Sequence, residues 1–500
     1  MKKYIFLILV INYSLFSVSS KSFLKFDPIQ TSVFIDPTNL LCKSNFFIEF
    51  LPFYIQNTNK SEISEYFLPF NCSLLTTEDN APNASSRDVT AIQLNINHAN
   101  NSFESVTNFC PKYQNVGFLI HINSFFKCKY WIDLILPVSQ VKNNMNLNET
   151  ILDLGGDTVT TFVSDVTEAF KQSSWNYGKI DGARCKKGLN DIDFKFGTTF
   201  CKSISQSART LRQAQGERPL MVSSSNHMSG YREMSIFPFI GCIIPTGNKT
   251  ISEYLFEPIV GNTKHFALQG GIINFLELAP CITFYFDLNL MHQFKNSQTR
   301  MLDLIDKRWS RYMIVYESPE AALIAFNHAG QPQNGDKGSP GINSFTQEVY
   351  VSPGFAFQST GRLWFIKNCI KNEFGLSVYF RESEKLYLKC REKFGNIALV
   401  GTAGSGTTTD ARTINYNYLG TTTGNSEDDK IMDGEYASLS TSEFNLDSGA
   451  APCALSLTFF YKFQYLYKNY KFNLATSYKY SRSNASPNLF AFWGGLTYEF

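Results

Sequence analysis

The sequence predicts an all-β protein, a transmembrane antiparallel β-barrel of roughly 12–14 strands with long loops and a few short helices. Three observations carry this expectation. Apolar and polar residues alternate with period two over runs of about ten residues, the length of a tilted membrane-spanning strand. The apolar wall of these runs is rich in Phe and Tyr, and charged side chains recur mid-run on the opposite wall. The amino end reads as an export segment. Composition agrees. The 500 residues include 45 Phe, 25 Tyr and 5 Trp, and only 18% are charged, below the usual quarter. A formal net charge of +2 argues against a nucleic-acid binder, which needs a basic excess. A mean hydropathy of -0.16 is too polar for a bundle of membrane-spanning helices.

Residues 1–20 are expected to be a signal peptide. Met1-Lys2-Lys3 is basic, Tyr4–Leu15 is apolar apart from Asn12 and Ser14, and Val18-Ser19-Ser20 supplies the small residues of a cleavage site. The apolar run is shorter than the ~20 residues of a spanning helix. Lys2 and Lys3 carry the whole net charge, so residues 21–500 would be formally neutral.

Strand candidates follow in order. Asn45–Gln56, Asn115–Phe126 and Cys128–Val138 alternate imperfectly. Ile192, Phe194, Phe196 and Phe200 then oppose Asp191, Asp193, Lys195 and Thr199. Met234–Pro245 and His265–Asn274 are again less regular. Ile282, Phe284, Phe286, Leu288 and Leu290 oppose Thr283, Tyr285, Asp287 and Asn289. Val349, Val351, Phe355 and Phe357 read as one further run, against Tyr350, Ser352 and Gln358. Phe374, Leu376, Val378 and Phe380 oppose Gly375, Ser377 and Arg381. The cleanest run is Cys453–Tyr465, with Ser456, Thr458, Lys462 and Gln464 on its polar wall and Phe460 the exception. Tyr470, Phe472, Leu474, Tyr478 and Tyr480 then oppose Lys471, Asn473, Ser477 and Lys479. A soluble sandwich or barrel also alternates. Charges opposite a Phe/Tyr wall instead fit an outside that meets lipid and an inside that meets water.

The polar walls make Asp191, Asp193, Lys195, Asp287, Arg381, Lys462, Lys471 and Lys479 candidate lumen-lining residues. Ordinary lumen polarity accounts for them better than a basic, anion-attracting pore does. Residues 57–107 read as a polar loop and 401–433 as a Gly/Thr/Ser-rich loop. Short helices are expected over Asp165–Gln172, capped by Ser164 or Asp165, and over Pro319–Asn327, either of which would be able to plug a lumen. Trp309-Ser310-Arg311-Tyr312 reads as an interfacial girdle or a plug contact. The Arg/Gln-rich stretch 207–228 is foreign to the surrounding Asn/Lys/Ile/Phe bias. Through Leu211–Pro219 it resembles translated mobile palindromic repeats, which implies a recent loop insertion.

The chain ends on Phe490, Phe492, Leu496, Tyr498 and Phe500 on one face. Gly495, Tyr498 and Phe500 resemble the carboxyl-terminal assembly signal of bacterial outer-membrane barrels, with Trp493 where that family carries a polar residue. The resemblance implies outer-membrane location and recognition by the barrel-assembly machinery. A second resemblance rests on Gly188-Leu189-Asn190-Asp191 and Ile244-Pro245-Thr246-Gly247. These are similar to turns in predicted outer-membrane barrels associated with uptake of aromatic or other small compounds, which implies a barrel and hints at transport.

Enzymatic signals are weak. None of the six His lies beside a recognisable Ser motif, and His121 reads as a packing or hydrogen-bonding residue. Gly404-Ser405-Gly406 lacks the ending of a phosphate-binding loop. Eleven Cys without short ligand spacing argue against zinc, and their odd number leaves one thiol unpaired within a monomer. No cofactor, metal or catalytic residue is expected. The reading is a porin-like barrel for passive passage of small solutes, with membrane lipid and solutes as partners. A non-transporting adhesin or structural barrel is the alternative, and an outer-membrane hydrolase a weaker one.

Overall fold

The computed structural model describes residues 18–37, 46–69, 73–78, 88–96, 103–126, 129–154, 156, 158, 162–205, 231–279, 281–305, 308–317, 338–367, 369–389, 398–399 and 444–500. The body of the expected signal peptide, the insertion at 207–228, the helix expected at 319–327 and the tract 401–433 lie outside these residues.

Twelve strands form one closed antiparallel ring. They are β1 (Phe46–Asn57), β2 (Lys112–Phe126), β3 (Tyr130–Asn144), β4, β5 (Tyr231–Ile244), β6 (Ala267–Ala279), β7 (Ile282–Gln293), β8 (Phe355–Lys367), β9 (Ile370–Arg381), β10 (Ala454–Tyr467), β11 (Tyr470–Ser481) and β12 (Leu489–Glu499). β4 runs in three pieces, Arg184–Leu189, Ile192–Thr198 and Phe200–Ser205. Its middle piece bridges β3 and β5, and its outer pieces overhang onto one neighbour each. β12 returns to β1, with Glu499 opposite Phe47 and Leu489 opposite Asn57. Among the described residues, each strand of the ring thus has a neighbour on both sides, save at the two outer pieces of β4.

Alternation sorts the side chains as its period requires. Phe374, Phe459 and Leu474 on the outside are each more than half exposed, while Arg362, Glu373, Lys462 and Gln464 on the inside are at most 1% exposed. A soluble barrel has the opposite polarity. Phe460, the apolar exception on the inward wall of β10, packs over Gly375, where a Cβ would stand 2.0 Å from its ring.

Tight connections join β2–β3, β6–β7, β8–β9 and β10–β11 at one end, where Phe46 and Phe500 also lie. The connections at the other end fold into a cap. One cap sheet orders Val89–Thr90, Leu74–Glu78, Glu104–Phe109 and Leu147–Asp153. Another orders Asn296–Met301, Thr346–Ser352 and Lys385–Leu388. Two expectations need correction here. Residues 57–107 are not simply a polar loop: Ser61–Phe67 is a helix whose Ile63, Tyr66 and Phe67 are fully buried. The run Val349–Phe357 is not one strand. Pro353-Gly354 splits it, Val349 and Val351 point into the cap core, and Phe355 opens β8.

The expected helix at Asp165–Gln172 contracts to Val166–Ala169. Asp165 caps it by accepting the Glu168 amide at 2.8 Å. The helix packs in the cap, with Phe170 against Trp175 and Tyr312, and does not plug the ring. Trp309–Tyr312 is likewise buried in the cap rather than set in an outer girdle.

The inverted polarity generates a test. Leu474→Arg, on the outer face near the middle of β11, is expected to destabilise the bilayer-folded protein by about 2–4 kcal/mol, measured by denaturant titration in lipid vesicles. An unchanged midpoint would contradict the assigned lipid face.

Candidate functional site

A ring of eight strands is filled by its own side chains, and rings of sixteen or more leave a channel. Twelve strands fall between, and the lumen takes in one extended segment. Residues 20–37 enter through the cap and run down the ring toward the tight-turn end, where the chain rejoins the wall at Phe46.

This plug is short of internal structure, with only the single turn Thr31–Phe34. It is held by the wall instead. At the top, Arg311 donates to the carbonyls of Ser20 and Lys21 and is itself paired to Asp303 at 2.7 Å. Lys25 meets Glu384 at 3.1 Å, and Arg300 meets the other oxygen of that carboxylate at 3.1 Å. Asp27 accepts from Lys479 at 2.6 Å and Ser486 at 2.7 Å, with Arg381 at 3.5 Å. Midway, Ser32 lies 2.9 Å from Thr360 and accepts from Gln358. Below, Lys462 and Arg362 donate to the carbonyls of Phe34 and Ile35. Asp36 takes Lys371 at 2.9 Å and Gln464 at 2.8 Å. The Phe34 ring packs against Trp493 at 4.5 Å and Phe53 at 5.8 Å. Trp493, the departure from the carboxyl-terminal pattern, thus faces inward as a seat for the plug.

Seven of the expected lumen residues lie on inward registers, in three groups. Lys479, Arg381 and Lys462 hold the plug. Lys195, Asp193 and Asp287 belong to a wall network: Lys195 meets Asp193 at 3.0 Å and Asp133 at 4.0 Å, and Asp287 accepts from the Tyr285 hydroxyl at 2.6 Å. Lys471 pairs with Glu499 near the tight-turn end. Asp191 stands apart, in the break between the first two pieces of β4. Its carboxylate accepts the amides of Gly247 at 3.1 Å and Asn262 at 2.6 Å. The hydroxyl of Thr246 donates to the Asn190 carbonyl. The segments 188–191 and 244–247, far apart in the chain, therefore meet at one corner of the lumen. Gly261 there has φ +80, and a Cβ would stand 2.7 Å from Asp191.

His121 sits between Glu49 at 3.2 Å and Asp133. Both ring nitrogens face carboxylates, so neither is left to activate a nucleophile. Among the described residues no group of His, Cys, Asp and Glu is arranged to hold a metal ion. Cys110, Cys185, Cys242, Cys281 and Cys369 carry free thiols.

Two cavities flank the plug. The larger, of about 140 Å³, surrounds Phe26–Phe34 toward the cap and reaches the Asp191 corner. The smaller, of about 60 Å³, lies lower beside His121, Lys195 and Asp287. Thr31 and Gln358 border both. Alternation located the wall residues, but nothing periodic marks Lys25, Asp27 or Asp36. Glu384, the partner of Lys25, likewise lies between strands, after Arg381 and before Lys385.

No protein-family model and no curated protein sequence matches the chain. Among solved structures, the chain is similar to an outer membrane channel from Pseudomonas putida F1, at 7% identity and a TM-score of 0.37 over 95% of this chain and 100% of that one. It is also similar to a Pseudomonas aeruginosa FadL homologue, at 8% identity and a TM-score of 0.31 over 98% and 99%. At such values the assignment of a barrel rests on the chain's own strand pairing.

Two outcomes follow from the clasps. Breaking a buried ion pair from one side costs about 3–5 kcal/mol, so Asp27→Ala should loosen the plug. Maleimide labelling of a Cys placed at Ser32 should then rise at least tenfold, and unchanged labelling would refute the Asp27 clasp. In the cap, burial alone would raise the Glu384 carboxyl, but Lys25 and Arg300 outweigh it and hold it down to about 2. A depressed carboxylate stabilises the fold above its unfolded value of about 4.3 and loses that contribution as pH falls through about 2. Reaction of a Cys at Ser22 with 4,4'-dithiodipyridine, which remains reactive in acid, taken relative to a free thiol at each pH, should stay flat down to about pH 4.5 and climb between there and pH 2. Glu384→Gln should show high labelling throughout.

Proposed function

We propose that the protein is an outer-membrane barrel for passive passage of small solutes, gated by its own N-terminal segment. One observation carries the reading. The lumen of an inside-out barrel holds a segment that is seated by ion pairs and carbonyl contacts, with cavities on both sides of it. Such contacts exchange readily with water when the segment shifts, whereas a purely apolar filling would not.

Membrane location is supported by the outer wall. Tyr130, Tyr465, Tyr467 and Tyr470 are exposed toward the tight-turn end, and Tyr478 and Tyr480 toward the cap, with Phe and Leu between. Tyr favours the headgroup level at both faces of a bilayer. Cleavage of a signal peptide after Ser20, which removes the Ser20 contact and leaves the plug to begin at Lys21, and recognition of Gly495, Tyr498 and Phe500 by the assembly machinery belong to the same proposal. The neighbour described as an outer membrane channel is in keeping with it. The filled lumen and the folded cap favour a second reading, a surface protein that does not conduct.

Planar bilayers separate the two. The channel reading expects small, flickering conductance from the full chain and larger, longer openings from Asp27→Ala. A variant that folds, shifts on gels with boiling and yet stays silent would favour the non-conducting protein.

A further inference from the structure

We infer that the larger cavity is a binding site for a small uncharged molecule bearing hydroxyl or amide groups, with the plug residue Gln30 as one of its ligands. The inference deepens the transport reading and rests on it only for the claim that the bound molecule is cargo.

The cavity exceeds what one ordered water needs, about 10–15 Å³ by the same measure, and has room at about 140 Å³ for several heavy atoms. Polar side chains around it are buried yet lack protein partners. Both amide atoms of Gln30 and both of Asn262 are unbonded, as are the Asn115 carbonyl oxygen and the Tyr379 hydroxyl. All four residues are at least nine-tenths buried, and all line the cavity. They come from the plug, from the corner beside Asp191, and from β2 and β9. Buried polar atoms of this kind are ordinarily satisfied, so four converging on one space point to an occupant. Together they offer donors and acceptors.

Charge selects the class of occupant. The ionised groups on the cavity wall are already engaged, three by opposite charge and Asp191 by backbone amides alone. Asp27 has Lys479 and Arg381, Asp193 has Lys195, and Asp191 has the amides of Gly247 and Asn262. An anion entering would lose its hydration without meeting a free countercharge, and a cation would meet only Asp191, whose two oxygens already accept backbone amides. An uncharged molecule finds hydrogen bonds at its polar groups. Phe26, Ile29, Ile55 and Met291 offer apolar surface to the rest of it.

A matched set of probes tests this: benzamide, benzoate and benzylamine share a frame and differ in charge. Each is titrated calorimetrically into the detergent-folded full chain. Benzamide should bind at least tenfold more tightly than either charged probe. Gln30→Leu and Asn262→Leu should each weaken benzamide at least fivefold, with heat-modifiable gel mobility unchanged. Equal or tighter binding of a charged probe, no benzamide binding, or indifference to both substitutions would overturn the site, leaving a water-filled cavity. Vesicle swelling by benzamide tells the two readings apart. Binding without swelling keeps the site and removes the conduit, and swelling without binding does the reverse.

Discussion

The pairing of β1 with β12 closes the ring, and that closure divides the side chains of every strand between two environments. With period-two alternation, every residue that faces outward obliges its neighbours to face inward. A wall of Phe, Leu and Tyr outside therefore comes with Glu49, Arg362, Lys371, Glu373 and Lys462 inside. These inner groups need partners, because a buried unpaired charge is strongly destabilising. Part of the need is met across the wall, as in Arg362 with Glu373. The remainder is met by the plug.

The plug is the electrostatic complement of the upper and lower lumen. Asp27 lies between Lys479 and Arg381, and Asp36 lies beside Lys371. Lys25 answers Glu384 at the cap. Removing the segment would take the Asp27 carboxylate from Lys479 and Arg381 and leave Lys371 with Glu373 and Glu384 with Arg300, so the closed arrangement is favoured electrostatically. Its contacts are nonetheless polar and local, and water can replace them one at a time. That combination suits a gate better than a structural core, and it leaves cavities wherever the segment turns away from the wall.

The ring was legible in the sequence because its signal is local. Cys453–Tyr465 and Tyr470–Tyr480 show their faces without any knowledge of their partners. β8 was legible only in its first residues. Its inward Ala356, Thr360, Arg362 and Trp364 mix sizes and polarity, and the cap strand before it continues the same alternation across Pro353-Gly354. The charges on the strands followed from the same pattern, but the plug clasps depend on contacts hundreds of residues apart. Lys479 with Asp27 and Arg311 with Ser20 are of this kind. The plug has no periodicity because it follows no regular structure. The one sequence hint was Trp493, an aromatic residue where a polar one is usual, which faces Phe34.

On the proposed gating, residues 21–37 obstruct the lumen and must move for solutes to pass. This gating is tested most directly by tethering the plug to the wall where Ser32 and Thr360 stand 2.9 Å apart. A Ser32→Cys, Thr360→Cys double variant is inserted in planar bilayers in the Asp27→Ala background, with the Asp27→Ala single variant under the same oxidant as control. Oxidation should abolish the openings of the double variant alone, and reductant should restore them. Openings of equal size and frequency in the oxidised and reduced double variant would contradict the gating.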